Sequence, residues 1–219
     1  MKILEKNLEK GFVKVIPENF LDLWHLSRII KVKDRVKAKT VRNIFVEIEG
    51  KKEKSRKVAL LLSLEVEKVE LKKNKIRIKG KIVEAPQEVS KGSYHTFEIV
   101  PGKSLIVEKK KWEKEQVEKI EKLTKKVEKA VSLKEFFVHL NKLDGFAIYG
   151  FEEVRNAALM GAVKTLFVSL ENLNERTEEI MEEVEKKGGE IEFVSKEEEL
   201  GKKFLENYKI GAILRFKIS

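Results

Sequence analysis

The 219-residue chain contains no cysteine. That excludes a disulfide framework and thiolate chemistry. It has only 3 prolines and 12 glycines, too few for a collagen-like chain or a Pro/Gly-rich disordered one. Its 3 histidines, His25, His95 and His139, are scattered, and none has metal-ligand spacing. No apolar run approaches roughly 18 residues, so no transmembrane helix is expected. The opening stretch MKILEKNLEK has no apolar core, so no secretory signal is expected either. There is no P-loop, no GxGxxG after a strand and no GxSxG. Together these absences point to a cytoplasmic chain and remove the commonest catalytic frameworks.

What is present is charge. Charged residues make up 38% and apolar residues 42%, a globular composition. Abundant Lys and Glu without Cys fit a thermophile. The net charge of +10 is unevenly placed. Residues 1–110 hold 27 Lys/Arg against 15 Asp/Glu, and residues 111–219 hold 20 against 22. A basic half beside a near-neutral half suggests that the first meets a polyanion and the second meets protein.

The first half reads as strands. GFVKVIP alternates and stops at Pro17. NFLDLWHLSRII switches to helical spacing, with Asn19 as N-cap and Leu23, Leu26 and Ile30 as an apolar stripe. DRVKAKTVRNIFVEIEG, the polar tip GKKEKSRK and VALLLSLEVEKVEL read as a long hairpin. KIRIKGKIVEA, SYHTFEIV and KSLIVEK add three strands. Many short strands with one short helix predict a small barrel. The second half alternates strands with helices of about 10–15 residues, as an α/β layered domain does. Gly188 and Gly189 follow the helix NERTEEIMEEVEKK as a stop signal. Between the halves, Lys111–Leu140 has no Gly or Pro and reads as stiff helix.

The clearest chemical signal is KVKDRVKAKTVRN. Lys33, Arg35, Lys37 and Lys39 recur at spacing two, which in a strand puts them on one face. Val32, Val36 and Ala38 would then face the core. Arg42 continues the array, and Lys51, Lys52, Lys54, Arg56 and Lys57 answer it from the hairpin tip. Such an array suits phosphates, because each neutralised phosphate releases counterions. The plainer reading is a solvated edge kept from aggregating by lysine. Trp24 reads as core, with His25 at its edge. Tyr94 and His95 follow a turn and could stack on a base or fill the barrel. The carboxylate runs at Glu152–Val154 and Lys196–Leu200 read as solvated helix faces.

In order, ILEKNLEKGFVKVIPENFLDLWHLSRII, DRVKAKTVR, EVEKVEL and KGSYHTFEIVPG resemble the N-terminal domain of the archaeal Pelota family, the ribosome-rescue paralogue of the class-1 termination factor. FAIYGFEEVRNAALMGAVKTLFVS, GGEIEFVS and IGAILRFKI resemble that family's C-terminal domain. The resemblance implies an Sm-like β-barrel and a C-terminal α/β domain similar to the kink-turn-binding ribosomal protein fold. It implies domains at 1–112 and 132–219, with a helical linker at 113–131 where the family's central domain is missing. It also implies two abutted helices with the join near 123–131 and a break or kink in the helix near Ser132.

The resemblance further implies a binding factor for no-go decay, acting as a monomer off the membrane. Its partners would be the ribosome at its decoding site, an elongation-factor-like GTPase and an ABC-type recycling ATPase. The ribosome-facing positions carried over are the Lys33–Arg42 strand with Thr40 and Asn43, its hairpin, and Ser93, Tyr94 and His95. Binding would need no cofactor. A divalent metal would be needed only for the endoribonuclease activity credited to the family, for which no catalytic residue stands out. A non-catalytic competitor for rescue sites is a further alternative.

Overall fold

The computed structural model describes residues 1–48, 51–72, 74–87, 89–125, 133–194, 196 and 199–218; the side chains of 43–48, 51–56 and 122–125 lie outside this description. The chain divides into two units, Met1–Val127 and Glu128–Ser219. The join expected near 123–131 and the break expected near Ser132 fall largely outside the described residues.

The first unit is sheet-rich. Its elements are β1 (Lys2–Asn7), β2 (Phe12–Ile16), α1 (Phe20–Ile29), β3 (Arg35–Ile48), β4 (Lys51–Lys72), β5 (Lys75–Glu84), β6 (Tyr94–Ile99), β7 (Leu105–Glu108) and α2 (Lys114–Lys125). One antiparallel sheet runs β1-β2-β7-β3-β4-β5-β6. Alternation decides which side is core. Ile76, Ile78, Gly80 and Ile82 of β5 are buried, and Arg77, Lys79 and Lys81 between them are exposed. Helix α1 starts where Asn19 accepts a hydrogen bond from Asp22 N at 2.9 Å. It lies against β4 and β5, burying Leu23, Leu26 and Ile30 as its stripe predicts, with Trp24 and His25 also inside.

Two local expectations need correction. β1 was not anticipated; its exposed lysines and glutamates hide the alternation that would announce it. The stretch KKEKSRK is strand, not hairpin tip, because β3 and β4 pair as far as Ile48 and Lys51. Only residues 49 and 50 lie between them. The helix α2, read as linker, belongs to the first unit, and its Ile120 is buried. Beside it, Lys6 pairs with Glu121, and Lys119 Nζ lies 5.4 Å from the Trp24 ring centroid.

Gly80 permits a close approach. The β4–β5 register shifts between Val66 and Lys68. A Cβ at position 80 would stand 2.0 Å from the Glu65 carbonyl oxygen. Only glycine lets the two backbones meet there.

The second unit is α/β. It comprises α3 (Leu133–Lys142), β8 (Ala147–Tyr149), α4 (Phe151–Leu159), β9 (Val163–Ser169), α5 (Glu175–Lys186), β10 (Glu190–Val194), α6 (Glu199–Asn207) and β11 (Ile210–Leu214), with a short 3₁₀ turn at Leu170–Asn172. Its sheet runs β10-β9-β11-β8. β9 and β10 are parallel, and β11 is antiparallel to both neighbours. Every residue of β11 is buried, as a strand covered on both faces should be. A capping box of Asn174 and Thr177 starts α5, and Gly188 at φ 77° follows its end. The core gathers Phe136, Phe137, Phe167 and Phe204. Among the described residues, no helix is long and apolar enough to cross a membrane.

A candidate nucleic-acid interface on the first sheet

The basic array begins one turn later than its spacing suggests. Lys33 lies before β3, in a turn at φ 71°. Its backbone N–H donates to Val66 O at 2.8 Å, and Val66 N–H returns a bond to Asp34 O at 2.8 Å. Tertiary hydrogen bonds therefore override the strand period at Lys33, and Val32 is 61% exposed rather than core-facing. The turn is anchored from below. Asp34 Oδ2 accepts from Lys31 N at 2.8 Å and pairs with Lys109, whose side chain is only 4% exposed.

From Arg35 the period holds. Val36 and Ala38 are buried; Arg35 and Lys39 are exposed and Lys37 is partly so. Lys37 is not free for phosphate. It reaches Glu84 at 2.8 Å and Glu108 at 3.8 Å, and the hydrogen bond to Glu84 raises its pKa above the ordinary lysine value. Arg35 and Lys39 make no ion pair among the described residues. Cross-strand pairing extends the outer face as one row, Arg35 opposite Glu65, Glu65 opposite Lys81, and Lys81 opposite Tyr94.

Arg42 has even parity and belongs to the other face, with Thr40. This corrects the expectation that it continues the array. Its Nη1 is buried without a hydrogen bond among the described residues. Thr40 Oγ1 lies 3.1 Å from His95 Nε2, and the His95 ring meets Phe97 edge-on at 5.4 Å. His95 is therefore half-buried on the inner side. Burial, then the positive charges of Arg42 and Lys103, push its pKa below the ordinary value. An unfolded His95 accepts a proton more readily than the folded one. The resulting stability is complete above the unfolded pKa of about 6.5 and falls as pH drops from there toward the lowered folded pKa. On acidification the chain should lose stability relative to its His95→Gln variant, read as melting temperature between about pH 8 and about pH 5. Parallel curves would reject this.

Ser93 is partly buried, and its hydroxyl donates to Ser90 O at 2.7 Å. Tyr94 is 53% exposed on the outer face. Lys57 is exposed opposite Asn43. The side chains of Asn43, Lys51, Lys52, Lys54 and Arg56 lie outside the described residues. Sequence reasoning missed Arg77, Lys79 and Lys81, although IRIKGKI alternates as plainly as VKAKT. A divalent metal finds no group of three or more His, Asp or Glu side chains to hold it among the described residues. The arrangement can bind polyanions on its outer face.

Two family models cover the chain, the Pelota N-terminal domain over residues 1–124 and eRF1 domain 3 over 126–218. They adjoin, so no central domain separates them. The protein pelota homolog of Staphylothermus marinus is 42% identical over 134 residues, which is 60% of this chain and 37% of that protein. The homolog of Sulfurisphaera tokodaii is 36% identical over 162 residues, 71% of this chain and 46% of that protein. The chain spans less than half the length of these curated relatives. The crystal structure of Archaeoglobus fulgidus Pelota matches with a TM-score of 0.73 and 23% identity, covering 100% of both chains. A model of ribosome-bound archaeal Pelota and ABCE1 matches with a TM-score of 0.61 and 22% identity, again covering 100% of both. At these identities the likeness is one of fold, a sheet-rich N-terminal domain with a C-terminal α/β domain.

Proposed function

Because the chain belongs to the Pelota family, lacking its central domain, we propose that it is a ribosome-rescue and mRNA-surveillance factor. The sheet-rich domain, read as Sm-like, enters the decoding site of a stalled ribosome and holds RNA backbone. The α/β domain, read as similar to the kink-turn-binding ribosomal proteins, recruits an elongation-factor-like GTPase and an ABC-type recycling ATPase. Its near-neutral charge suits contact with protein. The work is recognition and recruitment, carried out in the cytoplasm, and this chain makes or breaks no bond.

The observation that carries the RNA contact is the pair Arg35 and Lys39, exposed on the outer face of β3 and in no salt bridge among the described residues. Phosphate contacts of this kind position a protein without reading sequence. The test is co-sedimentation with vacant and stalled ribosomes, with and without the splitting ATPase. Arg35→Glu with Lys39→Glu should weaken binding roughly tenfold or more and lower the salt slope by about 2. Lys37→Glu is the weaker choice, since Lys37 already holds Glu84 and Glu108. Unchanged binding by the double variant would sink this assignment of the face. A chain that binds yet blocks splitting is a competitor, and metal-dependent cleavage of bound mRNA would mark the endoribonuclease.

A further inference from the structure

The outer face of β5 and β6 carries a second set of cations, further along the row that starts at Arg35. A cleft of about 230 Å³ opens there, lined by Lys68, Glu70, Arg77, Lys79 and Thr96. Its acids are already engaged. Glu70 meets Lys68 at 2.7 Å, and neighbouring Glu98 holds Lys75 at 2.8 Å and Arg77 at 3.4 Å. Both carboxyls titrate below the ordinary value, Glu70 chiefly through the hydrogen bond from Lys68 and Glu98 through that from Lys75, with further cations adding. Lys79 and Lys81 make no ion pair among the described residues. They lie instead at 5.5 and 5.8 Å from the centroid of the Tyr94 ring. Tyr94 stands on β6, the last strand of the sheet, with half its surface in solvent. Lys79 both lines the cleft and stands over the ring, so cleft and ring adjoin.

We infer that this surface is a single-stranded RNA platform, on which an unpaired base stacks on Tyr94 while the adjoining phosphates take Lys79, Lys81 and the cleft. An exposed aromatic ring flanked by mobile cations is the minimal unit of such recognition. The ring accepts any base by its π-face, and the cations follow the backbone. Lysine suits the exchange. Its flexible stem lets the ammonium leave the ring for a phosphate when a base arrives. The cleft is too small and too polar for a folded partner, and its surplus charge is of the sign that RNA complements. The inference rests on the proposed RNA-binding role of this domain and extends its contact across the sheet.

The experiment is fluorescence anisotropy with a labelled single-stranded oligouridine, using the full chain. Tyr94→Ala should weaken binding on the order of tenfold, whereas Tyr94→Phe, which keeps the ring, should bind like the wild type. Lys79→Glu with Lys81→Glu should weaken binding and lower its salt slope. Wild-type affinity in both Tyr94→Ala and the lysine double variant overturns the platform. So does equal loss in Tyr94→Ala and Tyr94→Phe, because a ring would then not be the feature read. If these variants bind normally while Arg35→Glu with Lys39→Glu loses ribosome binding, the platform fails and the proposed function stands. If the wild type sediments with no ribosome, the proposed function fails, and the oligouridine result alone decides the platform.

Discussion

Asp34→Ala is expected to destabilise the first unit by about 3–5 kcal/mol. The reason lies with its partner. Lys109 is buried, its side chain 4% exposed, and its ammonium forms a salt bridge with Asp34 Oδ2 and with no other carboxylate among the described residues. The Trp112 ring lies 5.5 Å away and supplies only a weak cation–π contact. Removing the carboxylate leaves a desolvated charge without compensation, which costs far more than the intact pair contributes. It also frees Lys31 N and loosens the turn that launches β3. Asp34→Asn should fall between, keeping an acceptor and losing the charge. Replacing both partners, Asp34→Leu with Lys109→Met, should recover much of the loss, since apolar groups need no partner. Urea denaturation of the four proteins checks this. A single-variant cost below about 1 kcal/mol would mean that Lys109 finds water or another partner.

Phe136→Ala should cost the second unit about 3–5 kcal/mol. Phe136 is fully buried and is the hub of its aromatic core, with ring centroids 5.5 Å from Phe137, 5.7 Å from Phe167, 5.4 Å from Phe204 and 5.8 Å from Tyr208. Truncation removes edge-to-face contacts on several sides at once and leaves a cavity that rigid neighbours cannot collapse into. Gly211 offers an internal control. A Cβ there would stand 2.8 Å from the Phe136 ring, so Gly211→Ala clashes in the native core. In the Phe136→Ala background that clash is gone. The two changes should therefore be non-additive, with Gly211→Ala costing less in the double variant than alone. Additive costs, measured by denaturation, would mean that the clash is relieved some other way.

Much of this architecture is legible in the residues. The change of period between the halves announces a sheet-rich domain followed by an α/β one. Val36 and Ala38 alternate into the core as their spacing says, and Asn19 caps α1 as its residue type says. What failed to show is long-range. Nothing near Lys33 signals that Val66 will hold it in a turn. Lys37 reads as a free phosphate ligand until Glu84 and Glu108, 47 and 71 positions further along the chain, fold onto it. Arg42 is a different kind of miss, because its even number already placed it opposite Lys39. The cations of β5 were equally readable from their alternation. KVKDRVKAKTVRN concentrates more charge in one stretch and so masks them.

Gly80 carries a consequence beyond the geometry of one bulge. Any amino-acid replacement of glycine brings a β-carbon, and at this position that carbon would stand 2.0 Å from the Glu65 carbonyl oxygen. Position 80 thus has no neutral neighbour in sequence space: the chain can leave this residue only by moving β4 and β5 apart.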